Sequence, residues 1–281
     1  MDQVACLLGR PGELLRLVCQ PHTLGPPLPL PAGVTVIGID TGVRHNVAAG
    51  AYARTRAAAF MGHRMIVEHM RHLGRRAGRE MVADPTGGYL ANLDPADYKA
   101  FFRPVLPEAM AGHEFLDRFG THGDAATAVD PVETYPVQFA CDHHVLDAQR
   151  VRRFAGFLER ASDPAAPADE RAGSLRSAGH LMYASHKSYA DKAGLGHPDA
   201  DVLIDLVKQH EPAGLYGARL TGGGAGGTVA VLLADAPTAE EAVSAILSAY
   251  AGRTGRRPAL LAGGSPGAAH AGPAEVTLAS V

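Results

Sequence analysis

The sequence contains no tryptophan, only three cysteines, and only four lysines among its 26 basic residues. Cys6, Cys19 and Cys141 are too few and too scattered for a disulfide scaffold or a structural zinc site. They read as small apolar residues in a reducing compartment. The lysine shortage reads as compositional bias, not as a binding feature. An excess of charge of one sign is also missing: the formal net charge is −3 and the pI is about 6.5. That leaves no electrostatic footprint for nucleic acid or for an anionic membrane. No apolar run approaches the roughly 18 residues needed to span a bilayer. The first residues, MDQVACLLGR, lack the basic-then-apolar pattern of a secretory leader, so a cytoplasmic location is expected.

Glycine and proline are plentiful, at 33 and 20 of 281 residues, yet 46% of the chain is hydrophobic and 20% charged. That composition can build a sizeable core, and the length admits one large domain or two small ones.

Spacing predicts a helix over residues 1–8, ended by Gly9, Pro11 and Gly12, then a strand over 13–20 (ELLRLVCQ). After a proline-rich connector, residues 34–40 (VTVIGID) read as a more buried strand. Residues 53–79 follow a helical period, with His63, His69 and His72 taken as a solvated face because no carboxylate or thiolate completes a metal set. The run DPTGG at 84–88 is a turn signal, and Asp94-Pro95 marks a helix start. His113-Glu114 resembles half of a zinc-protease motif, but position 117 is aspartate. Residues 130–138 read as a strand, with His143 and His144 in a polar loop and a helix from 151. Two helices are expected over 179–192 and 199–210.

The strongest local feature is residues 214–233, where two strand-like runs flank Thr221-Gly-Gly-Gly-Ala-Gly-Gly227. Glycines in such a run admit left-handed backbone or close approach of another group. The run matches neither a P-loop nor a dinucleotide fingerprint, because no Gly-Lys-Ser/Thr is present and a strand follows, so a long hairpin turn is an equal reading. Thr238 and Glu241 suggest a capping box on the next helix, and residues 275–281 a last strand. Pattern alone points to an α+β sandwich with helices on one face of an antiparallel sheet, and to no reaction.

Four ordered blocks carry a resemblance. LTGGGAGGTVAVLL is similar to the third signature motif of the GHMP small-molecule kinases, galactokinases above all. GHLMYASHKSYADKAGLGHPDADVLIDL resembles the galactokinase helix pair before it. GIDTGVRHNVAAGAY resembles the segment whose tyrosine sits in the sugar pocket, and MDQVACLLG the segment with the catalytic aspartate. Within that family LRLVCQP, AAFMGHRMI and FLDRFGTHGDAATAVDPVETYPV bring the likeness nearest to the plant L-arabinokinases.

The resemblance implies a GHMP kinase C-terminal domain, helices packed on an antiparallel ferredoxin-like sheet, over residues 46–281, with a remnant of the N-terminal catalytic domain over 1–45. It implies an ATP-dependent sugar-1-kinase acting on the anomeric hydroxyl of a monosaccharide, with ATP and Mg2+ as cofactors. Phosphoryl transfer needs positioning, a group to take the hydroxyl proton, and neutralised phosphate charge. Asp2 is then the catalytic carboxylate; on sequence alone the favoured reading is a helix N-terminal acid stabilised by the macrodipole. Arg44, beside His45, and Tyr52 would bind the sugar; alternatively they are a polar strand end and a half-buried anchor. Gly222, Gly223, Gly224, Gly226 and Gly227 would shape the nucleotide site. The family's Gly-Leu-Ser-Ser-Ser phosphate loop and Gly-Glu-His-x-Asp-Tyr sugar motif occur nowhere in the 281 residues. The expectation is therefore an N-terminally truncated kinase, inactive alone, whose Mg2+ ligands and a partner segment lie in the missing part. The alternative is a non-catalytic remnant that binds sugar or serves as an interaction module.

Overall fold

The computed structural model describes residues 2–19, 22–44, 50–79, 84 and 86–272. His45 and the strand expected over 275–281 lie outside these residues. The chain opens with α1 (Asp2–Leu8), a helix with no buried residue. Four two-residue strands follow: β1 (Glu13–Leu14), β2 (Leu17–Val18), β3 (Thr23–Leu24) and β4 (Leu28–Pro29). They form a nested antiparallel hairpin, β1 with β4 outside and β2 with β3 inside. The single strand expected over 13–20 is thus split in two.

Next come β5 (Val34–Asp40), α2 (Ala51–Arg76) and the one-turn α3 (Pro95–Asp97), capped as expected by Asp94, which accepts from the Ala96 and Asp97 amides. The short strands β6 (Met110–Ala111) and β7 (Thr134–Tyr135) pair across α4 (Gly112–Phe119). The long helices α5 (Val137–Ser162) and α6 (Ala168–Asp191) precede α7 (Pro198–Gln209), β8 (Leu215–Leu220), β9 (Thr228–Ala234), α8 (Pro237–Thr254), β10 (Ala259–Leu261) and α9 (Ala268–Ala271).

The structure corrects the reading of residues 130–150. Only Thr134–Tyr135 is strand, and α5 already starts at Val137. Pro136 stands at its entry with the fixed φ that suits a helix start. Val137, Ala140, Cys141 and Val145 then repeat at helical spacing and are fully buried. His143 and His144 therefore sit in a helix, not in a loop. The same face packs on α2 so closely that a Cβ at Gly62 would meet the Cys141 sulfur at 2.1 Å. Burial pushes the Cys141 thiol up, leaving it an inert core group. Thr238 is not a cap either: Pro237 takes the first helical position of α8, Ala236 is the cap residue, and no side chain bonds there.

Strands β10, β5, β9 and β8 form one antiparallel sheet in that order, with Val36 opposite Leu232 and Ala218 opposite Val231. Alternation assigns the two faces. Ile37, Ile39, Val229, Val231 and Leu233 join a core with α7 and α8, including Leu203, Leu206, Ile246 and Tyr250. Val34 and Leu232 face the other way, onto Leu158 of α5 and Leu175, Ala178 and Met182 of α6. Helices thus cover both faces, where one covered face was expected. A third core, with Met61, Ile66, Tyr98, Phe115 and Val145, joins α2 to α5.

Helix α6 and strand β8 meet backbone to backbone. A register irregularity between Leu215 and Gly217 brings the Tyr216 carbonyl onto α6. A Cβ at Gly179 would lie 1.7 Å from that oxygen, and one at Gly217 2.3 Å from the Gly179 Cα. Among the described residues, no helix is long and apolar enough to cross a membrane.

Candidate functional site

A cavity of about 300 Å3 opens where α2, the segment 88–92, α5 and the end of α6 converge. Its polar wall comes from Tyr52 and Arg56 on α2, Asn92, His143 and Tyr189, with Phe60 and Leu195 among its apolar parts. A mixture of aromatic faces and convergent polar groups suits a small polyhydroxylated ligand.

Most of these groups are held by partners outside the cavity. Arg56 donates from Nε and Nη2 to the two Asp124 carboxylate oxygens, both at 2.8 Å, and Thr127 donates to the same carboxylate. The Arg56 guanidinium holds the Asp124 carboxyl well below the usual carboxylate range. His63 Nε2 sits 2.7 Å from Thr86 Oγ1 and 3.2 Å from Asp84, within the turn that the DPTGG signal marked. It belongs to the cavity wall, not to a solvated helix face. Asn92 donates to the Thr86 carbonyl at 2.8 Å, and Tyr189 to the Gly222 carbonyl at 2.7 Å.

Next to His143 in the chain stands a buried carboxylate. Asp142, its side chain 2% exposed, accepts from Tyr98 Oη at 2.9 Å, Arg103 Nε at 2.9 Å and Lys192 Nζ at 2.8 Å. Burial opposes its charge, but the donors from Arg103, Lys192 and Tyr98 hold it below its ordinary range. The cluster ties α5 to the segment after α3 and to the end of α6.

Of the expected site residues, Tyr52, at the first turn of α2, is the one that lines this cavity. Arg44 is exposed and pairs with Asp40 at 3.2 Å. Asp2 is exposed in the first turn of α1 and is not part of the cavity wall. The glycine run is the β8–β9 hairpin turn. Gly222, Gly224, Gly226 and Gly227 all have positive φ, the conformation that favours glycine. The turn packs inward: a Cβ at Gly224 would meet the Leu195 carbonyl at 2.4 Å, and one at Gly226 would meet Val43 Cγ1 at 2.5 Å. Its Gly227 carbonyl accepts from the Thr41 amide and hydroxyl. Through Tyr189 and Leu195 the turn borders the cavity.

Among the described residues no group of three or more His, Cys, Asp or Glu is placed for a metal ion, and Leu195 and Val43 pack against the glycine turn at Gly224 and Gly226. Sequence reading missed His143, His144, Arg56 and Asn92. The helical repeat Val137, Ala140, Cys141, Val145 was the signal that places the first two.

Residues 165–252 match the family described as GHMP kinases C terminal. Over 95% of its length the chain is 32% identical to an L-arabinokinase of Arabidopsis thaliana, of which it covers 27%. Over 91% it is 30% identical to a galactokinase of Chloroflexus aggregans, of which it covers 51%. Among solved structures, Lactococcus lactis galactokinase complexed with galactose aligns with 94% of this chain and 53% of its own, with a TM-score of 0.58 at 18% identity, which shows a shared fold. The chain thus spans about a quarter and about half of the curated relatives it matches.

Proposed function

We propose that this chain, whose residues 165–252 are a GHMP kinase C-terminal domain of the galactokinase-like α+β fold, is the sugar-holding part of an ATP-dependent sugar-1-kinase of the L-arabinokinase and galactokinase kind. The observation that carries the reading is the cavity under Tyr52, the tyrosine that the resemblance nominates for the sugar. Its wall offers hydroxyl, amide and ring N–H groups to sugar hydroxyls and aromatic faces to sugar C–H groups. Its one lining arginine is already neutralised by Asp124, so the cavity favours an uncharged ring over an anion.

In this reading Tyr52 and its neighbours hold the monosaccharide and exclude water. The resemblance alone gives Asp2 the proton of the anomeric hydroxyl; Asp2 stands off the wall of the cavity in this structure. Arg44 joins the substrate side, and the glycine turn supports the site's floor through Tyr189 and Leu195. ATP supplies the phosphoryl group when bound. We assign no step to ATP or Mg2+ within these residues. We place the start of the C-terminal unit before Val34 and not at residue 46, since β5 is an inner strand of its sheet and Leu28 shares a core with α5 and α6. A cytoplasmic location accompanies this reading.

The filled glycine turn favours one second reading, a module that binds sugar without turning it over. A coupled ADP-release assay with L-arabinose and D-galactose separates the two. We expect sugar-dependent ADP release from the complete gene product, lost in Asp2→Asn with sugar affinity kept, and none from residues 1–281 alone. Undiminished turnover in Asp2→Asn would remove Asp2 from the chemistry.

A further inference from the structure

His143 is a buried polar residue of the cavity wall, whereas Tyr52 and His144 on the same wall are exposed. Arg56 is spent on Asp124, His63 on Thr86, and Tyr189 on the Gly222 carbonyl. The His143 ring is 7% exposed, with the rings of Tyr189 and His144 at 5.5 and 5.6 Å. Its Nδ1 lies 3.1 Å from Ser188 Oγ, which fixes the ring plane. Its other nitrogen, Nε2, has no hydrogen-bond partner among the described residues, although the ring forms part of the cavity wall. Nε2 is not one of the fully buried unpaired atoms among the described residues, so it is open to the cavity, where a ligand hydroxyl can take the place of water on it.

We infer that His143 is a sugar-binding, specificity-determining residue whose Nε2 hydrogen-bonds one hydroxyl of the monosaccharide, with Ser188 as the residue that positions it. This rests on the sugar pocket proposed above and names a contact within it. Burial keeps the ring neutral, against the pull of Asp147, so Nε2 can donate or accept according to the role Ser188 takes at Nδ1. A wall built to pair with a hydroxyl rejects the deoxy analogue that leaves the ring unpaired.

The test titrates D-galactose and L-arabinose into the 15N-histidine-labelled chain and follows the His143 ring nitrogens by NMR, assigned through His143→Gln. Calorimetry on His143→Phe, His143→Gln and Ser188→Ala accompanies it. The Nε2 resonance moves as sugar binds; His143→Phe weakens binding about tenfold or more, and His143→Gln, whose amide reaches the Nε2 position, regains part of it. Sugar binding with an unmoved His143 resonance overturns the assignment and leaves the pocket standing. A folded wild-type chain that binds neither sugar overturns both. The NMR arm decides the matter even where His143→Phe fails to fold.

Discussion

Replacing Gly179 by alanine adds one methyl group at the tightest approach in the fold. The new carbon would lie 1.7 Å from the Tyr216 carbonyl oxygen and 2.3 Å from its carbon. Van der Waals contact would require α6 and β8 to separate by more than roughly 1 Å in an interior packed at crystal-like density. Overpacking usually costs about 1–3 kcal/mol because side chains give way. Here both surfaces are backbone and no rotamer can yield, so we expect about 3–5 kcal/mol, among the large single-mutation effects. Gly156 on α5 is the internal control: it is also helical, and nothing lies within 4 Å of its Cβ position. There alanine should stabilise by about 0.5–1 kcal/mol through helix propensity and the unfolded chain's entropy. Both variants make the same change in the unfolded state, so their difference, about 3.5–6 kcal/mol, isolates the helix–strand contact. Urea denaturation followed by circular dichroism measures it. Equal stabilities within about 1 kcal/mol would refute the backbone-contact account.

Asp142→Asn leaves Arg103 and Lys192 without their shared anion, and should cost on the order of 2–3 kcal/mol in the same urea experiment, tempered because Arg103 is partly exposed. Acid should destabilise the fold between neutrality and pH 4: burial lowers the folded pKa of His143 to about 4, so the unfolded chain takes the proton first, and stability present above the unfolded value near 6.5 is lost as pH falls. Between pH 7.5 and 5 His143 contributes up to about 2 kcal/mol of that loss. His122 and His186, also lowered chiefly by burial, add to the slope, and His143→Gln should flatten it. A flat stability profile from pH 7.5 to 5 would contradict this. The lowered carboxyls of Asp84, Asp124 and Asp142 act below the histidine window, near and under pH 4.

The parts that were legible in the sequence share a physical reason. Strands β5, β8 and β9 are dense apolar runs with glycine or proline at their ends, and in α2, α7 and the second half of α6 a helical period stands out, whereas residues 168–178 of α6 were not expected to be helical. The glycine run marked the hairpin turn because positive φ and tight packing against Leu195 and Val43 select glycine. The misread stretch shows the opposite case. Residues 130–138 carry two prolines and a short alternation that mimics a strand, while the α5 period becomes visible only from Val137 onward. His143 and His144 were hidden by that error. The cavity itself brings residue 52 beside 92, 143 and 189, a juxtaposition set by the packing of α2 on α5, which no local pattern encodes. Tyr52 was found through resemblance, not through spacing.

The central claim is that the cavity under Tyr52 holds a monosaccharide. Isothermal titration of L-arabinose and D-galactose into the wild-type chain and into Tyr52→Leu tests it most directly. The account predicts binding of at least one of the two sugars. It predicts a Kd raised roughly five- to hundredfold in Tyr52→Leu, the worth of one aromatic face and one hydroxyl, with the melting temperature unchanged. A folded wild-type chain that binds neither sugar, or equal affinity in Tyr52→Leu, would contradict it.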